Sequence, residues 1–391
     1  MTFIFSRVKD SSLMLAAVGL FAALLAAAPA AAQQDKLALN HKGFTSSEVC
    51  GKCHTQIYQS WKESMHAGSV TDPVFVAAYM MAYFKKGPPT AKLCLRCHAP
   101  TSVITKDYDL THELPAEGIT CDFCHSLKDV NLDNEENPFV LDVGKVKRGP
   151  NIKGEVKIHD VAYSRLHSDS KICASCHEYR PNGVPVMTTY TEWKESVYAE
   201  QGTNCQYCHM PESMGEISKN VPGPRGGKVF NHNLAGGHSV IQLKKALALK
   251  ITGVGRNKDR MTVKVDLTNQ GSGHRVPTGI PTRKLVLYCE VKVGGGKVYK
   301  EQVIYEKAIF NSEGRELLHD SDIMLGLGSF VAKDNRIYPK ETRQESFTFF
   351  IPEGKEALVT AWVDYLYQPV ILQPTEMRVE MNLDSVVSSP Q

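Results

Sequence analysis

Ten of the eleven cysteines occur in five identical frames, in which two cysteines separated by two residues are followed directly by a histidine. Two thiols at this spacing can each add to one vinyl group of a haem, and the histidine then lies beneath the ring and ligates the iron. The sequence therefore predicts five covalently bound c-type haems. The cofactor-binding cysteines are Cys50, Cys53, Cys94, Cys97, Cys121, Cys124, Cys173, Cys176, Cys205 and Cys208, and the proximal iron ligands are His54, His98, His125, His177 and His209.

Three other uses of paired cysteines fit these frames less well. Zinc sites use similar pairs but do not require a histidine directly after each one. A disulfide framework places no constraint on the following residue and favours small, loop-rich domains. Redox-active pairs belong to thioredoxin-like βαβ units, and no such pattern surrounds the frames. The eleventh cysteine, Cys289, lies on the apolar side of a predicted strand, where we expect a small buried side chain.

The second ligand of each iron has to come from elsewhere in the chain. A haem that only carries electrons is usually closed on both faces, whereas an open face permits chemistry on a small molecule. The context of six of the nine remaining histidines predicts that they are distal iron ligands, with a surface role left open for His274. The six are His66, His159, His167, His232, His238 and His274. We expect surface or hydrogen-bonding roles for His41, His112 and His319, and core packing for Met65, Met210 and Met214.

An internal repeat surrounds one of these candidates. The stretch YQSWKESMHA at residues 58–67 recurs as YTEWKESVYA at residues 190–199. Each copy follows one frame and precedes another, which predicts a duplicated two-haem module with the third frame between the copies. His66 of the first copy is Tyr198 in the second. We interpret Tyr198 as a packing residue whose ligand role passed to another histidine; alternatively, it borders an open haem face.

The composition changes along the chain. Residues 41–240 hold all five frames, about 40 residues per haem, so the porphyrins must form most of the core beneath short helices and long loops. From about residue 241 apolar residues recur with period two between Gly and Asn turns. This pattern predicts an antiparallel, Ig-like β-sandwich of about seven strands at 241–385, followed by a tail at 386–391. The predicted fold class is α+β multidomain, a mostly α/loop multihaem cytochrome c domain followed by an antiparallel β-sandwich.

The amino terminus has the pattern of a signal peptide. Arg7 and Lys9 precede an apolar run and small residues at 30–32, which predicts cleavable export by residues 1–32; an uncleaved membrane anchor is the alternative. No later apolar run is long enough to span a bilayer. We therefore expect a periplasmic or extracellular protein that has no transmembrane span after cleavage.

Charge limits the choice of partner. With 45 Lys+Arg and 42 Asp+Glu the formal charge is +3, too weakly basic for a nucleic-acid binder. Cleavage of residues 1–32 removes a net charge of +1, which leaves about +2. Five haems add about ten negative propionate charges and, when ferric, about five positive charges, so we expect a holoprotein charge of about −3 when ferric and about −8 when ferrous. A redox partner with a basic docking face suits this charge.

The frames, the stretch from Trp61 to His66 and the sequence GITCDFCH at residues 118–125 resemble the multihaem cytochrome family typified by the tetrahaem cytochrome of ammonia-oxidising bacteria. The resemblance covers about residues 44–240. It implies closely spaced parallel and perpendicular haem pairs, mostly with two histidine ligands, that carry electrons. His66 matches that family's distal ligand, and His167 resembles another. The fifth frame, Tyr198 and the added β domain depart from the family's small member.

These observations favour an electron carrier over an enzyme, and we assign no catalytic residue. The expected partners are redox proteins, such as quinol oxidases or reductases or other cytochromes. A multihaem oxidoreductase that acts on a small nitrogen or sulfur compound at one five-coordinate haem is the alternative. Pentahaem nitrite reductases use a lysine after one cysteine pair, and all five frames here end in histidine, which counts against that enzyme. A third hypothesis is a haem filament with inter-subunit ligands such as His274.

Overall fold

A computed structural model describes residues 41–151, 158–367 and 377–389. The predicted signal peptide at residues 1–32 lies outside the described residues, as does the end of the predicted tail. Within these ranges no helix has both the length and the apolar character needed to cross a membrane.

The five frames lie on or beside short helices, because residues three apart share one face of a helical turn and the two thiols can then point the same way. Side-chain caps begin several of these helices. Asp72 accepts the Phe75 N–H at 2.9 Å and Thr120 accepts the Phe123 N–H at 3.0 Å. The α-helices in the described ranges are α1 (Ser47–Gly51), α2 (Thr55–Lys62), α3 (Pro73–Lys86), α4 (Pro89–His98), α5 (Thr101–Thr105), α6 (Glu113–Ala116), α7 (Cys121–Ser126), α8 (Lys171–His177), α9 (Thr189–Lys194), α10 (Val197–Glu200), α11 (Cys205–His209), α12 (Val240–Ala246) and α13 (Asp320–Met324).

Short two-stranded ribbons connect the helices of the haem region. β3 and β4 are parallel, and the pairs β1–β2, β5–β6, β7–β10 and β8–β9 are antiparallel. The buried apolar residues here form only small clusters, such as that of Phe123, Leu127 and Phe139. The chain length per frame predicts that bound haems would complete this core. The strands are β1 (Leu127–Val130), β2 (Phe139–Leu141), β3 (Val146–Gly149), β4 (Asp160–Tyr163), β5 (Glu178–Tyr179), β6 (Met187–Thr188), β7 (Glu212–Met214), β8 (Glu216–Ser218), β9 (Val221–Pro222) and β10 (Lys228–Phe230).

Two antiparallel sheets follow, and they pack face to face. One has the order β11–β12–β17 and the other β14–β13–β18–β19, and the ribbon β15–β16 lies beside them. The mixed α+β fold class predicted from the sequence is confirmed. The strands are β11 (Leu247–Asn257), β12 (Arg260–Asn269), β13 (Arg283–Val293), β14 (Val298–Tyr305), β15 (Lys307–Phe310), β16 (Phe330–Asp334), β17 (Thr342–Phe350), β18 (Ala357–Tyr367) and β19 (Met377–Ser388).

The core of this sandwich comes from alternate residues of both sheets. Val263 and Val265 of β12 and Leu287 and Cys289 of β13 are fully buried in the same apolar cluster. The alternation follows from the period of two along a strand. Cys289 thus occupies the buried position that its place in the pattern predicts, and burial raises the pKa of its thiol to about 12.

The internal repeat has the same geometry in both copies. Tyr58 and Trp61 have ring centres 5.7 Å apart, as do Tyr190 and Trp193. The Trp61 indole N–H donates to the Ile119 carbonyl at 2.9 Å, and that of Trp193 donates to the Thr203 carbonyl at 2.8 Å.

These acceptors identify the corresponding frames. Ile119 lies two residues before Cys121 of the third frame, and Thr203 lies two residues before Cys205 of the fifth. The third frame therefore corresponds to the fifth, and the first copy carries an insertion between Ala67 and Gly118 that holds the second frame. The predicted arrangement, with the third frame between two equivalent modules, is wrong in this respect, because the spacing along the chain does not distinguish an inserted frame from a repeated one.

Replacing Leu287 by Ala tests the sandwich core. Leu287 is fully buried, and removing such a side chain costs about 2–5 kcal/mol of unfolding free energy. Denaturant unfolding followed by far-UV circular dichroism measures the loss. Leu358→Ala is the control, because Leu358 is 42% exposed on neighbouring β18. Equal losses in the two variants would contradict the assigned core.

Candidate haem-binding site

Four of the five proximal histidines are held by a backbone carbonyl oxygen. Nδ1 of His98 lies 2.9 Å from the Ser69 oxygen, and Nδ1 of His209 lies 2.7 Å from the Ala235 oxygen. A nitrogen bonded to a carbonyl must carry the proton, so Nε2 keeps its lone pair for a metal. The other two contacts of this kind join His54 to Ile217 and His125 to Arg148.

Four proximal rings face a second histidine ring at nearly constant separation. Because a metal–imidazole bond is about 2 Å long and a ring centre lies roughly 1.1 Å from its nitrogen, two imidazoles on one iron have ring centres about 6.2 Å apart. The observed separations span 6.2–6.4 Å and match this value. The pairs are His54–His159 at 6.2 Å, His66–His177 at 6.4 Å, His125–His232 at 6.4 Å and His209–His274 at 6.3 Å.

The second frame differs from the other four. Among the described histidine rings, none faces His98 at this separation. Instead Phe75 stacks on the His98 ring with centres 3.9 Å apart. Phe75 belongs to α3, which lies in the inserted segment of the first repeat copy.

His167 and His238 have other surroundings. Nε2 of His167 lies 2.9 Å from the Cys124 carbonyl, and its ring stacks on His125 with centres 5.4 Å apart, closer than the facing pairs. Burial lowers the pKa of His238, and the neighbouring Arg283 guanidinium lowers it further.

Two of the three histidines predicted as non-ligands have described side chains. Nδ1 of His112 bonds the Asp107 carboxylate at 3.0 Å, and His319 begins α13. The side chain of His41 is outside the described residues.

Burial suits the facing histidines to bind a metal. The pKa of His66 falls to about 4, that of His177 to about 3 and that of His232 to about 4, in each case mainly because burial disfavours the charged ring. These imidazoles are neutral at physiological pH, which is the form that ligates iron.

Thiols of different frames touch one another. Cys50 donates to Cys121, which raises the pKa of Cys50 and lowers that of Cys121. The bond to Cys176 lowers the pKa of Cys97 to about 7, and the bond to Cys173 does the same for Cys205. The first frame therefore adjoins the third, and the fourth adjoins both the second and the fifth.

Two of these junctions are built alike. The Ser47 hydroxyl accepts the Cys121 N–H at 3.2 Å, and the Ser170 hydroxyl accepts the Cys205 N–H at 3.0 Å. Each serine lies three residues before the first cysteine of its own frame. The first and third frames are thus joined in the same way as the fourth and fifth.

The fifth frame receives its facing histidine from the sandwich. His274 lies in the loop between β12 and β13, where the Asn269 amide donates to its carbonyl at 2.9 Å and Nδ1 lies 3.0 Å from the Arg275 oxygen. Tyr198 donates to the Gln270 carbonyl at 2.9 Å. Tyr198 therefore contacts the loop that carries His274.

The donors present fit haem. All eleven cysteines lie in the described residues as free thiols, and each frame offers two of them beside an imidazole. Besides Arg343, whose Nε lies 3.0 Å from a Glu341 carboxylate oxygen, three arginines have a buried Nε–H without a partner among the described residues. Such a donor costs about 1–3 kcal/mol unless a bound group satisfies it, and the carboxylates of haem can do so. They are Arg96, Arg275 and Arg283.

Comparisons with known proteins agree with this site. Residues 49–126 match the family model described as cytochrome c554 and c-prime. A penta-haem cytochrome c552 from Thermochromatium tepidum matches with a TM-score of 0.69 and 22% identity, over 88% of this chain and 99% of that chain. None of the curated proteins matches the chain in sequence. Residues 49–126 therefore resemble a multihaem cytochrome family, and the chain shares the fold of the penta-haem cytochrome c552.

Two further solved structures are too dissimilar to support an argument. The putative ApaA protein from Bordetella pertussis has a TM-score of 0.19 and 12% identity, over 36% of this chain and 91% of that chain. MtrC from Shewanella baltica has a TM-score of 0.21 and 12% identity, over 56% of this chain and 36% of that chain.

Arg283 offers a test of electrostatics in the site. A nearby cation favours the reduced haem, so Arg283→Met should lower the midpoint potential of at least one haem by tens of millivolts, since a charge about 10 Å away is worth about 1–2 kcal/mol. Potentiometric titration of the visible spectrum measures it. Arg315→Met is the control, because that side chain is 73% exposed. Unchanged midpoint potentials in Arg283→Met would contradict the placement of Arg283 beside a haem.

Proposed function

We propose that the chain is an exported pentahaem c-type cytochrome that relays single electrons. The facing histidine pairs carry this proposal, because iron closed on both sides by imidazole exchanges electrons with little rearrangement and leaves no position for a substrate. The haem supplies the one-electron chemistry. The chain supplies ligands, burial and contact between neighbouring frames.

The proposed distal ligands follow from the ring separations. We assign His159 to the first frame, His232 to the third, His66 to the fourth and His274 to the fifth. His167 then supports the proximal His125, since its Nε2 is bonded to a carbonyl. His238 lies near Arg283 and is given no ligand role.

The thiol contacts support a branched relay. Cys50 and Cys121 join the first frame to the third. Cys124 of the third frame and Cys176 of the fourth pack against the same apolar cluster, which supports a step between these two frames. The fourth frame then meets the second through Cys176 and the fifth through Cys173. Electrons entering at the first frame can therefore reach two ends.

The proposed location and partners rest on the sequence. The segment at residues 1–32 has the chemistry of a cleavable export signal, so we place the mature protein in the periplasm or outside the cell. Its expected negative charge suits redox partners with a basic docking face. We keep 41–240 as the haem domain and extend the β domain predicted at 241–385 to Ser388, where β19 ends, with the sandwich supplying one ligand loop.

The number of haems is the first test. The mass of the purified, processed chain should exceed that of the polypeptide by five haems, and a pyridine haemochrome assay should give five haems per chain. Replacing both cysteines of one frame by Ala should remove one haem from both measurements. A wild-type mass corresponding to fewer attachments would contradict the pentahaem proposal.

A second candidate function rests on the second frame. With no described histidine facing His98, its iron would keep an open face, and a small nitrogen or sulfur compound could bind there. The chain would then be an oxidoreductase, and the fourth frame would supply the electrons through Cys176. Phe75 and Arg96 would line the proximal side and the edge of that site.

Electron paramagnetic resonance of the ferric protein separates these ligation states. We expect four low-spin haems and one high-spin haem. His66→Ala should add a second high-spin signal because it removes a ligand, whereas His167→Ala should add none. A high-spin signal that shifts with nitrite, hydroxylamine or carbon monoxide favours the oxidoreductase. An entirely low-spin wild-type protein would rule out the open face and leave the electron carrier alone.

A further inference from the structure

The residue before the repeated tryptophan anchors a histidine loop in both copies. In the first copy this residue is Ser60. Its hydroxyl accepts the His232 N–H at 3.0 Å and donates to the Asn231 side chain at 2.5 Å. His232 faces His125 of the third frame, so Ser60 holds the loop that closes that frame.

Glu192 occupies the equivalent position in the second copy. Its carboxylate accepts the Thr278 hydroxyl at 2.9 Å, and Thr278 lies four residues after His274 in the same loop. His274 faces His209 of the fifth frame. Because the fifth frame corresponds to the third, the two anchors serve equivalent haems.

The second anchor carries charge and the first does not. Glu192 pairs with Arg336 at 2.8 Å, and both side chains are only 4% exposed. Arg336 also donates to the Pro277 carbonyl of the same loop at 3.2 Å. Burial opposes ionisation of Glu192, but the Arg336 guanidinium outweighs it and holds the pKa of the carboxyl below its usual value.

A buried pair of this kind affects a nearby redox centre strongly. Interactions between charges strengthen as the surroundings exclude water. The anion and the cation of the pair, each taken alone, would shift the reduction potential of a nearby haem in opposite directions. An anion beside a haem favours the ferric form, and a cation favours the ferrous form. Arg336 also pairs with the Asp334 carboxylate at 2.8 Å, so Glu192 and Arg336 act as opposed charges within a small buried cluster beside the loop of His274.

We propose that Glu192 is the positioning residue for His274 and that, with Arg336, it sets the reduction potential of the fifth-frame haem. This inference rests on the proposed ligation of that haem by His209 and His274. Thr278 transmits the position of the Glu192 carboxylate to the loop. Arg336 supplies the balancing charge and a second bond to the same loop through Pro277.

Three variants of the five-haem holoprotein test the proposal by potentiometry and electron paramagnetic resonance. Glu192→Gln keeps an acceptor for Thr278 but removes the anion, so the potential of one haem should rise while its low-spin signal persists. Arg336→Met removes the cation, so the potential of the same haem should fall. Glu192→Ser copies the first repeat, is too short to reach Thr278, and should add a high-spin fraction that Glu192→Gln does not show.

Glu195→Gln is the matched control. Glu195 lies three residues further along the same repeat, is exposed, and should leave every potential unchanged. Shifts of the same sign in Glu192→Gln and Arg336→Met, or equal shifts in all haems, would overturn the proposal, because general loosening of the fold has no reason to act in opposite directions on one haem.

The outcome is distinguishable from failure of the proposed function. Mass spectrometry first establishes five haems in the wild type and in each variant. If the count is five and the opposite shifts are absent, the positioning role is overturned while the cytochrome proposal stands. A lower count in the wild type overturns the pentahaem proposal before potentials are measured.

Discussion

The nearly constant separation of four facing pairs of imidazole rings is the constraint on which the proposed arrangement depends. The ring centres of these pairs lie 6.2–6.4 Å apart. The paired histidines lie between 65 and 111 residues apart in the chain. An iron bound by each pair, as we propose, would tie together two distant segments and would give a region with only small apolar clusters a defined fold.

The internal repeat contains the same arrangement of two joined frames twice. The first and third frames are joined as the fourth and fifth are, through equivalent serines and tryptophans. The second frame lies in the inserted segment, outside this correspondence, and is the one whose histidine faces Phe75 rather than another imidazole. The duplicated unit favours the proposed electron carrier, and the different surroundings of the second frame favour the second candidate function.

The sequence predicts local features well. The frames, the seven strands of the two packed sheets and the burial of Cys289 follow from spacing and from the period of two, which depend on neighbouring residues alone. The pairing of histidines does not follow, because it depends on where long loops return. Glu192 and Arg336 lie about 140 residues apart, so nothing local joins them. The internal repeat could have pointed to Glu192 in the sequence, because it aligns this glutamate with Ser60.

The two residues at the repeated histidine position, His66 and Tyr198, show how the sandwich contributes to the site. His66 faces the proximal ring of the fourth frame, whereas its equivalent Tyr198 bonds the Gln270 carbonyl and lies beneath the Lys340 ammonium, 4.8 Å from the ring centre. A tyrosine there gives up a ligand but gains a contact with the loop of His274. In the proposed ligation, the second ligand of the fifth frame comes from the β domain, and its position depends on the packing between that domain and the second repeat. The proposal therefore makes the β domain part of the redox machinery, because moving this domain would move His274.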